Sequence, residues 1–300
     1  MKIIDAHAHI YERLTGFGPR GEARAVGGGM VEWATGERER FLRPEHGDKG
    51  FFAEKLVELM DEGGVERAVI LQGPNYGLQN SYIAESVARY PDRLTGAGSF
   101  DVYCAKADEI FANLTEKLGF GTIKFEISRE YGFSGYHPHL DINDGVFDRY
   151  FSMCEEKGIT VTLDTGVWGT SSYQIEGIID MLSRHKDLTL VIAHSLFPSG
   201  SDGNNGARLE YIKRLARENV YFDIANLNSS TDPHRREYFR AVADIVGADH
   251  MMWGTDCPGA LVKHTYREIA EYVTKSGYFT DAELCSLMHD TAVKAYGIEV

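Results

Sequence analysis

Three hundred residues carrying a formal net charge of −14 suit one large α/β barrel or two ordinary domains, and length alone does not choose. A chain this acidic binds polyanions poorly, which sets nucleic acid and anionic membrane surfaces aside as partners, although a local cluster of Arg, Lys or metal still admits an anionic small substrate. No apolar run nears the ~20 residues that span a bilayer, no basic-then-apolar leader precedes the first strand, and Cys104, Cys154, Cys257 and Cys285 lack paired spacing, so the reading is a cytoplasmic protein with reduced thiols.

Residues 2–5 read as the first strand and lead straight into His7-Ala8-His9. Phe52, Leu56, Leu59 and Met60 then recur at helical spacing. Residues 67–72 predict a second strand and 81–90 its helix. Residues 94–100 form a third, weaker strand, followed by a helix over 105–118. The fourth strand spans 122–126, and Val146, Phe147, Tyr150, Phe151 and Cys154 mark the next helical face. Residues 159–163 are a fifth strand, supported by β-branched Thr160, Val161 and Thr162, with a helix over 175–182. Strands at 188–193, 220–225 and 250–254 alternate with helices at 209–215, 238–246 and 266–273. A last helix, 282–296, closes the chain.

Eight strand–helix units with no run of pure strands predict a parallel (β/α)8 TIM barrel built as a single domain over residues 1–300. Most of the surplus length sits in residues 13–49, rich in Gly and charge and without a clear period. This insertion follows strand one, so it belongs over the active face, either as a mobile surface insertion or as a lid or a subunit contact. Gly16-Phe17-Gly18-Pro19-Arg20-Gly21 matches G-x-G-x-x-G, but a dinucleotide site needs that motif in a tight strand-to-helix turn. Here a His-x-His separates it from the strand and no helical pattern follows.

Several apolar runs end in a lone ionisable residue: Lys124, Asp164, His194 and Asp256. Strands that each deliver such a group at one end are how a barrel enzyme assembles its site. Residues i and i+2 of a strand share a face, so His7 and His9 can share one metal. Asp256 ends strand eight, the neighbour of strand one once a barrel closes. His194 follows Leu190-Val191-Ile192-Ala193 and reads either as a catalytic imidazole or as a core histidine. Asp164 precedes Thr165-Gly166 and is a site carboxylate or a turn former. Lys124 is a substrate-binding or, if carboxylated, a metal-bridging lysine, set against a plain buried one. Arg129, Trp168 and Arg235, in or near the loops after strands four, five and seven, are candidates for holding a carboxylated ring.

Asp5-Ala6-His7-Ala8-His9, Val191-Ile192-Ala193-His194, Trp253-Gly254-Thr255-Asp256-Cys257-Pro258 and the closing Met288-His289-Asp290-Thr291-Ala292-Val293-Lys294-Ala295-Tyr296-Gly297 resemble the amidohydrolase superfamily. The likeness is to its amidohydrolase-related branch of aminocarboxymuconate-semialdehyde-type decarboxylases and small lactonases. The resemblance implies a (β/α)8 barrel with one divalent metal, often zinc, held by His7, His9 and Asp256, with His194 catalytic; a homodimer is its usual assembly. That branch carries histidine where this chain has Asp164. If Asp164 ligates, two imidazoles and two carboxylates make a harder site that tolerates manganese; some lactonases of the superfamily work without metal.

Three readings follow. The first is a hydrolase of a small carboxylated lactone, ester or amide, in which a metal-held water attacks and Asp256 serves as base, then acid. The second is a non-oxidative decarboxylase, in which Asp256 or His194 protonates carbon. The third is a catalytically silent ligand-binding barrel, disfavoured because unused buried charge is costly.

Overall fold

The computed structural model describes residues 1–199, 203–225 and 233–299. Strand β1 (Ile4–Ala8) opens the barrel, and four short strands follow in the insertion: β2 (Phe17–Gly18), β3 (Gly21–Gly27), β4 (Met30–Trp33) and β5 (Arg38–Arg40). The remaining barrel strands are β6 (Arg67–Ile70), β7 (Leu94–Gly96), β8 (Thr122–Glu126), β9 (Thr160–Asp164), β10 (Leu190–Ile192), β11 (Val220–Asp223) and β12 (Met251–Met252). Between and after them run α1 (Ala53–Gly63), α2 (Asn80–Arg89), α3 (Ala107–Ala112), α4 (Gly145–Lys157), α5 (Ile175–Arg184), α6 (Asn205–Leu215), α7 (Pro233–Val246), α8 (Tyr266–Thr274), α9 (Asp281–Cys285) and α10 (Thr291–Tyr296).

Strands β1, β6 and β7 pair in parallel, as do β8 through β12 in order. Two seams join these arcs into the (β/α)8 barrel. At one, Gly98 bridges Ile123; at the other, Ala8 bridges Cys257. The second seam is reinforced by Ala6 N–H on the Trp253 carbonyl at 2.9 Å and by Asp256 N–H on the His7 carbonyl at 2.8 Å.

The helices form where one face is apolar. In α4, Phe147, Tyr150, Phe151 and Cys154 are buried, and the Asp144 side chain caps the start by accepting from Val146 N–H. Helix α8 opens on a capping box of Thr265 and Glu268, which satisfies two otherwise orphaned backbone donors. Inside the barrel, Ile4, Ala6, Val69, Leu71, Val191, Tyr221 and Met252 pack against Ala292, Ala295 and Tyr296 of α10. The closing helix therefore plugs one end. The polar inward residues of β9 answer to it: Thr160 Oγ1 donates to the Ala295 carbonyl at 2.8 Å, and Thr162 Oγ1 lies 3.4 Å from Tyr296 Oη.

One irregularity positions the site. Ile4 and Ala6 belong to the interior cluster, whereas Ala8 belongs to the outer one, because the β1–β6 register slips between Asp5 and Ala8. Side chains alternate strictly along a regular strand, so a parity set by Ile4 and Ala6 would turn both histidines outward. The slip turns them into the barrel. Close approach at the same place requires glycine: a Cβ on Gly254 would lie 2.7 Å from His7 Cβ.

Several expectations are revised. The first strand is Ile4–Ala8 rather than 2–5, so His7 lies within it. The third and eighth strands are shorter than expected, at Leu94–Gly96 and Met251–Met252. The predicted helix over 282–296 is interrupted by a π-helical turn, Ser286–Asp290, as is that over 105–118 at Asn113–Lys117. The insertion without apparent period is an antiparallel sheet, ordered β2-β3-β4-β5. Its inner residues Ala23, Ala25, Val31 and Trp33 are buried, and outside them Glu32 pairs with Arg24 and Arg38. The G-x-G-x-x-G segment lies in its first hairpin, Phe17 opposite Glu22. All four cysteines are free. No helix among the described residues is long and apolar enough to cross a membrane.

Candidate active site and metal centre

The strands' C-terminal ends meet at a cavity of about 300 Å³ lined by His7, His9, Lys124, Glu126, Asp164, His194 and Asp256, with Phe41, Tyr76, Tyr131, Val167 and Phe197 as its apolar walls. The convergence expected from the sequence is therefore present. From the insertion come Glu39, Arg40 and Phe41, and Lys263 lies on the segment after β12.

His9 Nδ1 lies 3.0 Å from the Leu71 carbonyl oxygen. A carbonyl only accepts, so Nδ1 carries the proton and Nε2 presents its lone pair. Burial, outweighing Asp256, lowers the His9 pKa to about 4, so the ring is neutral at physiological pH. Yet Nε2 faces Asp256 Oδ1 at 3.0 Å. Two acceptors in contact need a cation between or beside them. His7 is prepared in the same manner. Its Nδ1 meets Asp223 Oδ2 at 3.0 Å, leaving Nε2 3.9 Å from Asp256 Oδ1 and 3.5 Å from Lys124 Nζ. A carboxylate or carbonyl behind each imidazole is the usual support of a metal-binding histidine. Ligand atoms of His7, His9 and Asp256 lie within 4.8 Å of one another, as do those of His7, His194 and Asp223. These donors fit a divalent ion of the zinc or manganese type.

Asp164 lies in neither group. Its Oδ2 is 3.1 Å from His194 Nε2 and 4.0 Å from Lys124 Nζ. Burial works against charge on His194, but the Asp164 carboxylate overrides it and lifts the imidazole to about 9. Burial likewise opposes ionisation of Asp164, and His194 with Lys124 holds it well below the usual carboxylate range. Burial opposes ionisation of Asp256 as well, and the cationic His194 is among the groups that hold it below the usual carboxylate range. His194 Nδ1 is buried with no hydrogen-bond partner among the described residues.

His194 sits on unusual backbone. His194, Ser195, Leu196 and Phe197 have φ of 56°, 46°, 67° and 53°. Left-handed backbone costs a residue with a Cβ about 1–2 kcal/mol, and only Gly, and occasionally Asn or Asp, visits it routinely. None of these four is such a residue. The turn is held by His194 N–H donating to Asp223 Oδ1 at 2.8 Å and Ser195 Oγ donating to the Asp223 carbonyl at 2.7 Å.

Of the other residues singled out in the sequence, Lys124 lines the cavity, 3.3 Å from Glu126 Oε2. Arg129 is exposed on the following loop, with its N–H on Ser172 Oγ. Trp168 packs on Tyr173 and Tyr211, and Arg235 lies in the first turn of α7. None of these three is among the lining residues. Sequence reasoning passed over two buried carboxylates. Asp223 ends Val220-Tyr221-Phe222 as Asp164 ends its own apolar run, so the same signal marked it. Glu126 stands two residues beyond Lys124 on the same strand face. Strand β9 sets it opposite Asp164.

A family model described as amidohydrolase matches residues 4–298. The L-fucono-1,5-lactonase of Burkholderia ambifaria is 23% identical over 238 residues, covering 75% of this chain and 77% of that protein. Among solved structures, an amidohydrolase from Burkholderia multivorans with bound zinc covers 100% of both chains at 17% identity, with a TM-score of 0.74. The 5-carboxyvanillate decarboxylase of Sphingomonas paucimobilis covers 81% of this chain and 82% of its own at 15% identity, with a TM-score of 0.58.

Proposed function

The chain belongs to the amidohydrolase family and is an enzyme of that superfamily, and from that premise we propose that it is a metal-dependent hydrolase of a small carboxylated lactone, ester or amide. The observation that carries this reading is the contact between His9 Nε2 and Asp256 Oδ1 at 3.0 Å, two acceptors that require a cation. Likeness to a lactonase at 23% identity supports hydrolysis of a ring ester. Zinc in an amidohydrolase of the same fold supports zinc as the ion, with manganese the alternative.

His7, His9 and Asp256 would hold the metal, which supplies Lewis acidity for polarising a carbonyl and acidifying water. Asp256, ionised beside His9, takes the proton of the attacking water and returns it to the leaving oxygen or nitrogen. His194, cationic through Asp164, directs its charge at the oxyanion that develops on the carbonyl. Asp223 fixes the His7 tautomer. Lys124 balances the charge of Asp164, 4.0 Å away. Phe41, Tyr76 and Phe197 exclude water, and the contribution of Glu39, Arg40 and Phe41 to the cavity wall supports a lid role for residues 13–49.

The substrate's carboxylate meets Arg40 and Lys263. Arg40 bonds only the carbonyls of Gly28 and Leu42, and neither cation has a carboxylate partner among the described residues. The test is a panel of carboxylated and neutral lactones, esters and carboxylated aromatics, incubated with metal-loaded protein and read by mass spectrometry. Gain of water in a carboxylated lactone is the expected result. Loss of carbon dioxide from a carboxylated ring with no hydrolysis would replace this reading with a decarboxylase.

A further inference from the structure

We infer that Arg208, a buried residue of α6 outside the cavity, is a positioning residue for His194, acting through the left-handed turn 194–197. This rests on His194 working as proposed above. Arg208 is 1% exposed. Its Nε donates to the Leu196 carbonyl at 3.1 Å and its Nη1 to Asn205 Oδ1 at 3.2 Å. The guanidinium stands over the Trp168 ring, 5.3 Å from its centroid.

Other elements grip the same four residues. Tyr238 of α7 donates its hydroxyl to the Ser195 carbonyl at 2.9 Å. Tyr173 donates to the Leu196 carbonyl at 3.3 Å. Phe197 N–H closes back on the His194 carbonyl at 2.9 Å. Left-handed backbone on four consecutive residues with Cβ atoms persists only where its surroundings over-determine it. Released from these donors, the turn relaxes toward ordinary φ. The His194 ring moves with it, because its N–H bond to Asp223 and its Nε2 contact with Asp164 both depend on where residue 194 leaves β10. Arg208 thus touches no reacting atom, yet sets the direction in which the unpartnered Nδ1 of His194 points. Trp168 acquires a place in this scheme: it is the flat surface against which the guanidinium is held, rather than a wall of the cavity.

The experiment compares Arg208→Met, which keeps bulk and removes the donors, with Arg208→Lys, which keeps charge and a donor. Tyr238→Phe removes a single hydroxyl from an independent element. In metal-loaded protein with ¹⁵N-labelled histidine, the ring signals of His194 are identified by their loss in His194→Gln. Arg208→Met and Tyr238→Phe should shift or broaden those signals, and Arg208→Lys should largely restore them. On a turned-over substrate, Arg208→Met should lower kcat about 10- to 100-fold, as a sub-ångström to ångström misplacement does, with KM within about twofold. If Arg208→Met fails to fold, Tyr238→Phe decides. Folded variants with lower melting temperature but wild-type His194 signals and kcat would overturn the assignment, leaving Arg208 as a stabilising residue. If the wild-type protein turns over nothing in the panel, the proposed function falls, while the ring signals still decide the role of Arg208.

Discussion

Asp5 and Thr255, 250 positions apart, are bonded twice: Thr255 N–H donates to Asp5 Oδ1 at 2.9 Å and Thr255 Oγ1 to Oδ2 at 2.6 Å. Tyr266 Oη also donates to Asp5, as does His7 N–H. This buried carboxylate faces away from the cavity and fastens β1 to the segment that follows β12. It therefore holds the seam at which the histidine pair and Asp256 are brought together. Thr255 Oγ1 also accepts from Cys257 N–H at 3.0 Å, so Thr255→Val removes one of the two donors to Asp5 Oδ2, which keeps Tyr266 Oη, and strands the buried Cys257 N–H. Leaving a buried polar group unsatisfied costs about 1–3 kcal/mol. Urea unfolding should show a lower midpoint with an unchanged slope; an unmoved midpoint would mean the seam is held elsewhere.

The paired acceptors of His9 and Asp256 make metal removal destabilising as well as inactivating. Purified protein should carry one equivalent of divalent ion, measurable by elemental analysis. A ligand present at 100 times its Kd adds about 2.7 kcal/mol to folding stability. Chelation should thus lower the melting temperature, and zinc or manganese should restore it. His9→Ala should bind no ion and show the chelated melting temperature at all metal concentrations. Metal-free wild-type protein with the same melting temperature and full turnover would count against the proposed centre.

Asp256 accepts the proton in the proposed hydrolysis, and asparagine cannot. Asp256→Asn should reduce kcat by about 10²–10⁴-fold, the usual worth of a general base, while circular dichroism stays that of the wild type. A fully active Asp256→Asn would move the base to another residue.

The βα alternation was legible because each strand is an apolar run and each helix buries one stripe, as with Phe147, Tyr150, Phe151 and Cys154. The site was legible where strand ends carry lone ionisable groups. The insertion hid its sheet because three of its strands are only two to four residues long and the longest buries nothing larger than Ala23 and Ala25, too little apolar alternation to stand out. Loop residues Arg129 and Trp168 could not be aimed from sequence, since no period fixes where a loop side chain points. The left-handed turn at 194–197 lacks the glycine that ordinarily announces one. It is imposed by Asp223, Arg208 and Tyr238, residues far from it in the chain.

Arg40 and Lys263 give the carboxylate requirement a specific form. In a chain with net charge −14, two cations at a cavity rim without carboxylate partners among the described residues attract an anion locally. Arg40→Gln and Lys263→Met should each raise KM for a carboxylated lactone about tenfold, the effect of losing roughly 1.4 kcal/mol of binding, with kcat little changed. KM for the neutral analogue should stay put, and added salt should narrow the difference. Equal effects on both substrates would show that the two side chains shape the rim rather than read charge.

Glu126 provides the pH dependence. Burial, then the charge of Asp164, lifts its pKa to about 8, with Lys124 opposing. Below that pH Glu126 is a neutral acid that donates to Asp164, which keeps the Asp164–His194 pair intact. Above it, two carboxylates confront each other across β8 and β9, and the charge that His194 offers the oxyanion is drawn away. Activity should therefore fall on an alkaline limb near pH 8. In Glu126→Gln, which stays a neutral donor throughout, that limb should move up to about pH 9, where His194 itself loses its proton. The linkage has a definite sign: a carboxyl whose folded pKa exceeds its unfolded value contributes stability fully present below about pH 4.5 and lost as pH rises through about 8. Wild-type protein should accordingly lose more stability than Glu126→Gln between about pH 5 and about pH 9, read from urea midpoints at each pH. Parallel losses in both proteins, with the alkaline limb unmoved, would remove Glu126 from the chemistry and leave it a structural partner of Lys124.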